Sequence, residues 1–400
     1  GWAAGGAGQA DLAARMLELT FPYLLFVSLT AFAGGILNVH GRFGVPAFTP
    51  VLLNLALIAC ALWLSPQLET PIMALAWGVL IGGIAQFAFQ LPFLHRLGLV
   101  PRFRPSLRDE GVRRVLGFMV PAFLGVSVTQ VNLLLDTLMA SFLTGGSITW
   151  LYYSGRLMDF PVGILGAALA TVILPHLSTM AAQTRPQEFS RALDWGLRWT
   201  LLFGLPAAVG LVMLAGPVMA TLFQSEAFSV TDVGMSGASL SAYALGIAPL
   251  MLAKVLAPGY YARQGVRTPL RIAVATMVLN LVLNLMFMGP LQHVGLALAT
   301  SIAASANGVL LLWGLRRRGI YAPPEGWVSL VLKGVAASAS MLLVLWWGGG
   351  ELVAWTDATA GWRILHLGAL IAGGALVYFA VLLISGLRAR DFQGRDPAAA

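Results

Sequence analysis

Charged side chains are scarce in this sequence. They make up 10% of its 400 residues, whereas a soluble domain of ordinary composition carries roughly 25%. Hydrophobic residues account for 58%. Because so apolar a chain could not cover its surface with polar groups in water, the composition excludes an ordinary soluble protein and indicates an integral membrane protein.

Cysteine, lysine and the common catalytic motifs are also missing or nearly so. The single cysteine, Cys60, lies in an apolar run and leaves no intrachain disulfide or cysteine-based metal site. Neither of the two lysines lies in a phosphate-binding loop, and no H-E-x-x-H or G-x-S-x-G motif occurs. We therefore expect no enzyme, no cofactor and no metal, and we expect an ion gradient or the membrane potential to drive any uphill transport.

Eleven apolar runs, most of them near the ~20 residues that cross a bilayer, fill most of the chain. None alternates apolar and polar residues with period two, so the runs predict membrane-spanning helices and not barrel strands. The fold class is therefore expected to be all-α, a polytopic membrane protein. We name the runs A to K; they cover 20–39, 48–64, 72–94, 115–143, 150–178, 200–223, 236–258, 269–288, 293–315, 327–347 and 364–387.

The arginines lie in every second loop, after runs A, C, E, G, I and K, as in the cluster 316–318. The intervening loops carry acidic residues and, as a base, only Arg363. By the positive-inside rule the chain begins outside and ends in the cytoplasm. The net charge of +8 thus reflects membrane topology and does not indicate nucleic acid as a partner.

An internal repeat relates runs A to C to runs G to I at one constant offset of 221 residues. Six helices separate the copies, so the orientation is kept and the repeat is parallel. Runs D to I then form a complete six-helix lobe, and three helices equivalent to D to F are expected ahead of run A, fourteen in all. The predicted organisation is residues 1–98, the second half of the first lobe; 99–114, a basic cytoplasmic linker; 115–319, the second lobe; and 320–400, two additional helices and a cytoplasmic tail.

Ionisable side chains inside spans mark a path or a substrate site by default. Asp136 in run D and Arg156 and Asp159 in run E share one predicted depth, and Tyr152 lies one turn above Arg156. These groups could meet as a salt bridge that only lets the hairpin insert, or Arg156 could face a water-filled cavity and bind a phosphate, with the acids adjusting that binding. Lys254 is a weaker candidate, because a lysine near a helix end can extend its ammonium to the membrane surface.

Two stretches carry a resemblance to a known family. They are SFLTGGSITWLYYSGRLMDFPVG, which begins at Ser141, and KVLAPGYYARQGVRTP, which begins at Lys254. Both resemble the signatures of the MurJ/MviN lipid II flippases, and the likeness extends over essentially the whole chain.

The resemblance implies a fold of the multidrug/oligosaccharidyl-lipid/polysaccharide exporter superfamily, with two six-helix lobes and two extra helices that form a groove for a lipid tail. It also implies alternating access that carries lipid II, the undecaprenyl-diphosphate disaccharide-pentapeptide, to the outer leaflet of the bacterial plasma membrane for peptidoglycan synthesis. Arg156 matches the family's cavity arginine and Asp159 a position that is usually acidic, whereas Gly155 replaces an acid found in some members. The family's other essential arginines lie in its first two helices, so the 400 residues alone are expected to be inactive.

Three alternatives remain open. The chain could flip another lipid-linked oligosaccharide, of O-antigen or capsule type, although such exporters are not expected to carry runs J and K with these signatures. A multidrug cation antiporter should have an acidic cavity without an arginine. A scaffold that transports nothing is the third alternative.

Overall fold

The computed structural model describes residues 2–99, 110–183, 185–263, 265 and 267–387, and the regular secondary structure of these residues is helical apart from one isolated bridge between Ser225 and Phe228. This confirms the all-α prediction. Most of the basic linker and the tail from residue 388 lie outside the described residues. The chain divides into two units, 1–113 and 114–400, which are treated separately below.

The first unit packs its helices against one central helix, α4. Gly78 and Gly82 of α4 face α3, where an added methyl group would lie 3.1 Å from the Cα atoms of Leu57 and Leu53. Small residues at this spacing let two helices approach closely in a membrane, which is the role the sequence predicts for this pair. The helices are α1 (Trp2–Thr20), α2 (Tyr23–Val39), α3 (Gly44–Ala59), which continues as a π-helical turn (Cys60–Leu64), and α4 (Met73–Arg96).

The second unit contains ten helices within the described residues, packed mainly around the long helix α8. A π-helical turn (Val162–Gly166) directly follows Pro161 and divides run E into two shorter helices. The helices are α5 (Glu110–Ser141), α6 (Ser147–Pro161), α7 (Ala167–Ala182), α8 (Pro186–Phe223), α9 (Val230–Ala244), α10 (Ile247–Tyr261), α11 (Arg267–Arg317), α12 (Trp327–Gly349), α13 (Leu352–Asp357) and α14 (Ala360–Ile384).

Runs H and I correspond to the two helical segments of α11, which meet at a kink where Gln292 has the non-helical angles φ 48° and ψ −131°. The helix boundaries differ from the predicted runs in two places. Run G is bent by 42° between α9 and α10, and run E is split at the π-helical turn. By length and hydropathy, seven helices of the described part of the chain can cross a membrane, or eight with the bent pair, so the number eleven stays a prediction.

Arg363, the lone base expected on the outer side, caps a helix end. Its two terminal nitrogens donate to the carbonyl oxygens of Ala220, at 2.9 Å, and Thr356, at 2.7 Å. Ala220 belongs to the last turn of α8, whose carbonyls have no intrahelical partner and carry the negative end of the helix dipole. This exception to the charge pattern therefore has a structural cause.

Candidate functional site

A polar stripe runs along one face of α6. Tyr152, Arg156 and Asp159 follow one another at spacings of four and three residues, which places them on the same side of a helix. All three side chains are exposed in the second unit, Tyr152 at 56%. Because lipid does not solvate a charged side chain, a stripe of this kind in a membrane helix must border water, protein or a polar ligand.

Arg156 stacks on Tyr152 and forms no ion pair among the described residues. Its Cζ lies 5.1 Å from the centre of the Tyr152 ring, within cation–π range. No acidic oxygen of the described part of the chain lies within 4.0 Å of its guanidinium, although Asp159 is one turn away. The five donors of the guanidinium therefore remain available for an anionic ligand.

Asp136 is held by amides and does not contact Arg156. Its Oδ1 accepts a hydrogen bond of 2.6 Å from Asn284 Nδ2, and its Oδ2 accepts one of 3.2 Å from Asn132 Nδ2. The sequence predicts Asp136 and Arg156 at one depth, where the two side chains could form a contact. In the structure the rotation of α5 turns the Asp136 carboxylate towards Asn284 of α11. The expected grouping of the two acids around the arginine is thus not what the structure shows.

Two further polar side chains extend the group around Asp136. Asn280 lies one turn from Asn284, with one amide atom 3.3 Å from the hydroxyl of Thr300. Asn280 and Asn284 are 2% and 0% exposed. These amides were not predicted as site residues, because only ionisable groups were taken as candidates. The signal was present in the sequence, since two asparagines four residues apart inside run H cost free energy to transfer into lipid.

The helices that carry the two acids pack together. Leu151 of α6 packs against the buried cluster that Met139 of α5 forms with Leu296 of α11. The α6 stripe and the group around Asp136 are therefore neighbours within one unit, although no direct hydrogen bond among the described residues joins them.

Lys254 reaches across to the π-helical turn. Its Nζ lies 3.4 Å from the carbonyl oxygen of Val162, a long hydrogen bond, and its methylene chain lies where a side chain on Gly166 would be. π-Helical turns often occur at functional sites, because they leave carbonyls without their usual partners. The contact places the ammonium beside this turn, and the role of Lys254 stays a prediction.

Together these features define a class. Seven helices of the described residues, or eight with the bent pair, are long and apolar enough to cross a membrane, and these helices and their neighbours carry charged and amide side chains, which is typical of a polytopic membrane transporter. No cluster of three or more His, Cys, Asp or Glu that could hold a metal occurs in the parts of the chain that the structure describes.

Comparisons with known proteins identify the family. A family model described as "Lipid II flippase MurJ" matches residues 4–362. A "Probable lipid II flippase MurJ" of Vibrio cholerae is 45% identical over 98% of this chain and 75% of its own length, and the "Lipid II flippase MurJ" of Burkholderia cenocepacia is 40% identical over 97% and 76%. The solved structure of a lipid II flippase MurJ in an inward closed conformation is 27% identical and superposes with a TM-score of 0.75, over 94% of this chain and 74% of that one. The chain belongs to the MurJ family of lipid II flippases.

Proposed function

We propose that this chain translocates lipid II from the inner to the outer leaflet of the bacterial plasma membrane, as a transporter and not as an enzyme. The proposal is supported by 40–45% identity to relatives named as lipid II flippases across nearly the whole chain. The orientation with the C-terminus in the cytoplasm comes from the arginine pattern and belongs to the same proposal.

Arg156 is the proposed ligand of the substrate diphosphate. The observation that carries this role is an exposed guanidinium, in a membrane helix, that no acid of the described residues neutralises. Arginine binds phosphate with two parallel hydrogen bonds, and a site shielded from bulk water strengthens such charge-assisted bonds. Tyr152 then serves as a support that orients the guanidinium plane, and Asp159 as an acid on the same face that can weaken the hold when the substrate leaves.

Lys254 supplies a second positive charge to the proposed substrate site. A diphosphate carries more charge than one guanidinium neutralises, and among the described residues the ammonium of Lys254 is held only by the long bond to Val162. Giving up a bond of this length costs little. We therefore propose that Lys254 binds the substrate when the helices that carry the two cations approach it.

Asp136 is the proposed coupling group. Among the described residues its carboxylate is bonded to the amides of Asn132 and Asn284 and pairs with no base, so it is free to take up a proton or a cation from an ion gradient. This differs from a role in holding Arg156, which its distance from that residue does not support. In Asp136→Asn the side-chain shape is kept and the charge is lost, so transport coupled to ion movement should fall while insertion and folding persist.

The test of the substrate is rescue of a bacterium depleted of its own lipid II flippase. The intact gene would be expressed as wild type, Arg156→Ala and Arg156→Lys, and lipid II in the outer leaflet would be measured. Wild type should rescue, Arg156→Ala should fail, and Arg156→Lys should transport weakly because one ammonium cannot replace two parallel hydrogen bonds.

Arg185→Ala is the matched control, because Arg185 is an exposed arginine of the same unit that pairs with Glu188 at 3.3 Å. All variants must reach wild-type abundance in the membrane. Full transport by Arg156→Ala would contradict the proposed phosphate-binding role of Arg156. Failure of the wild type to rescue despite good expression would favour a different lipid-linked oligosaccharide as the substrate.

A further inference from the structure

A cavity of about 460 Å³ opens at the arginine-bearing end of α11 and shares no residue with the α6 stripe. Its size falls within the range of roughly 300–1,000 Å³ that is common for small-molecule sites. Helices α8, α10 and α11 and the segment before α12 form its walls, which are mostly apolar. The main apolar side chains are Leu197, Leu201, Leu252, Val309 and Leu312.

The lining of the cavity follows the C-terminal part of α11. It extends from Ser305 to Arg316, which at 1.5 Å per residue is roughly 16 Å, about half the thickness of a hydrocarbon core. A trough of this length, with apolar walls and Arg316 at one end, fits a single lipid acyl chain.

The rim of the cavity carries an unpaired positive charge. Arg317 stacks over Trp313 at 5.1 Å, and Arg318 donates to Thr268 Oγ1 at 2.7 Å. The guanidinium of Arg316, by contrast, has no hydrogen bond or ion pair among the described residues, and Arg316 lines the cavity. A guanidinium in this position suits a phosphate group at the end of an acyl chain.

The wall opposite α11 is rigidly built. Asp194 of α8, 6% exposed, accepts hydrogen bonds from Tyr321 Oη at 2.8 Å and Trp327 Nε1 at 2.7 Å. It also pairs with Arg198 at 2.6 Å. Both aromatic rings line the cavity, so the space is formed before any ligand enters and little ordering is needed to bind one.

We propose that this cavity binds an anionic glycerophospholipid of the adjacent leaflet, with one acyl chain in the apolar trough and the phosphate on Arg316. By the predicted orientation this is the cytoplasmic leaflet, whose anionic lipids are attracted to juxtamembrane arginines. The site goes beyond the transport reaction, since its occupant is a bilayer lipid and the proposed substrate contact lies on α6.

Native mass spectrometry of the detergent-purified chain tests the proposal, with phosphatidylglycerol, phosphatidylcholine and undecaprenyl phosphate as three separate probes. Wild type should retain phosphatidylglycerol on the order of tenfold better than phosphatidylcholine, the effect of about one charge-assisted hydrogen bond. Arg316→Gln should remove that preference, and Val309→Trp should lower retention of both phospholipids by filling the trough.

Arg317→Gln is the matched control, because it removes the same charge from the same helix end without touching the cavity. Val309 is 61% exposed, so the larger side chain does not strain the core, and unchanged unfolding midpoints would confirm folding. If Arg316→Gln and Arg317→Gln lost the phosphatidylglycerol preference equally, the preference would come from general surface charge, and this result would overturn the proposed site. So would the absence of a phosphatidylglycerol preference in wild type, or a Val309→Trp effect confined to undecaprenyl phosphate, which would assign the trough to a polyprenyl chain.

Discussion

Replacing Asp194 by Ala should detach the segment before α12 from α8. The carboxylate accepts three hydrogen bonds, from Arg198, Tyr321 and Trp327, at 2.6, 2.8 and 2.7 Å. Its side chain is 9% exposed and that of Arg198 21%. Removing one partner of a buried ion pair costs about 3–5 kcal/mol, and partial exposure of Arg198 lowers this to about 2–4 kcal/mol of unfolding free energy. Asp194→Asn keeps one acceptor oxygen and should cost about 1–2 kcal/mol.

The assay is denaturant unfolding of the purified chain in detergent, followed by tryptophan fluorescence and circular dichroism. A double-mutant cycle with Tyr321→Phe gives the decisive number, because Tyr321 bonds to Asp194 from the segment before α12. Once Asp194 is Ala, removing the Tyr321 hydroxyl should cost much less than it does in wild type, because this hydrogen bond is already lost. A loss below about 0.5 kcal/mol for Asp194→Ala, or additive losses in the cycle, would refute the view that this carboxylate organises the α8–α12 junction.

Two further predictions concern the ends of the second unit. Arg363→Gln should lower the free energy of unfolding in the same assay by about 1–2 kcal/mol, because it leaves the last carbonyls of α8 without their charged donor; an unchanged free energy of unfolding would contradict this. Burial and the neighbouring Asp194 raise the pKa of Tyr321 above its ordinary value, so its contribution to stability is complete below the usual tyrosine pKa of about 10 and is lost as pH rises through the folded pKa. Tyr321→Phe should therefore lose less stability than wild type between about pH 9 and 11, and parallel pH profiles would contradict this.

The apolar runs predicted the helical architecture well, because lipid leaves the backbone no alternative to internal hydrogen bonds. The points of failure are local. Run E looks continuous by hydropathy, but Pro161 cannot donate the hydrogen bond that a regular helix needs at its position, and the π-helical turn at 162–166 follows directly. Between runs H and I, by contrast, Gly289 and Pro290 predict a break, and α11 is kinked close by, at Gln292.

The candidate site shows what depth alone cannot predict. Hydropathy predicts Asp136, Arg156 and Asp159 at nearly the same depth in the membrane. Depth depends only on the position of a residue along its helix. Whether two side chains meet depends also on the rotation of each helix about its axis, which is set by packing against neighbours. For α5 that packing turns Asp136 to the asparagines of α11, and no residue of run D by itself encodes this.

The separation of Asp136 from Arg156 bears directly on mechanism. If a carboxylate were bonded to the arginine, the substrate phosphate would have to displace it, and each turnover would break a strong charge-assisted bond. With Arg156 stacked on Tyr152, the guanidinium is oriented at the cost of only a weak cation–π contact, and no acid of the described residues pairs with it. In the proposed mechanism, charge uptake at Asp136 would act on helix positions through the amides of α11 while Arg156 stays available for the phosphate, so separate groups of one unit would perform ion coupling and substrate binding.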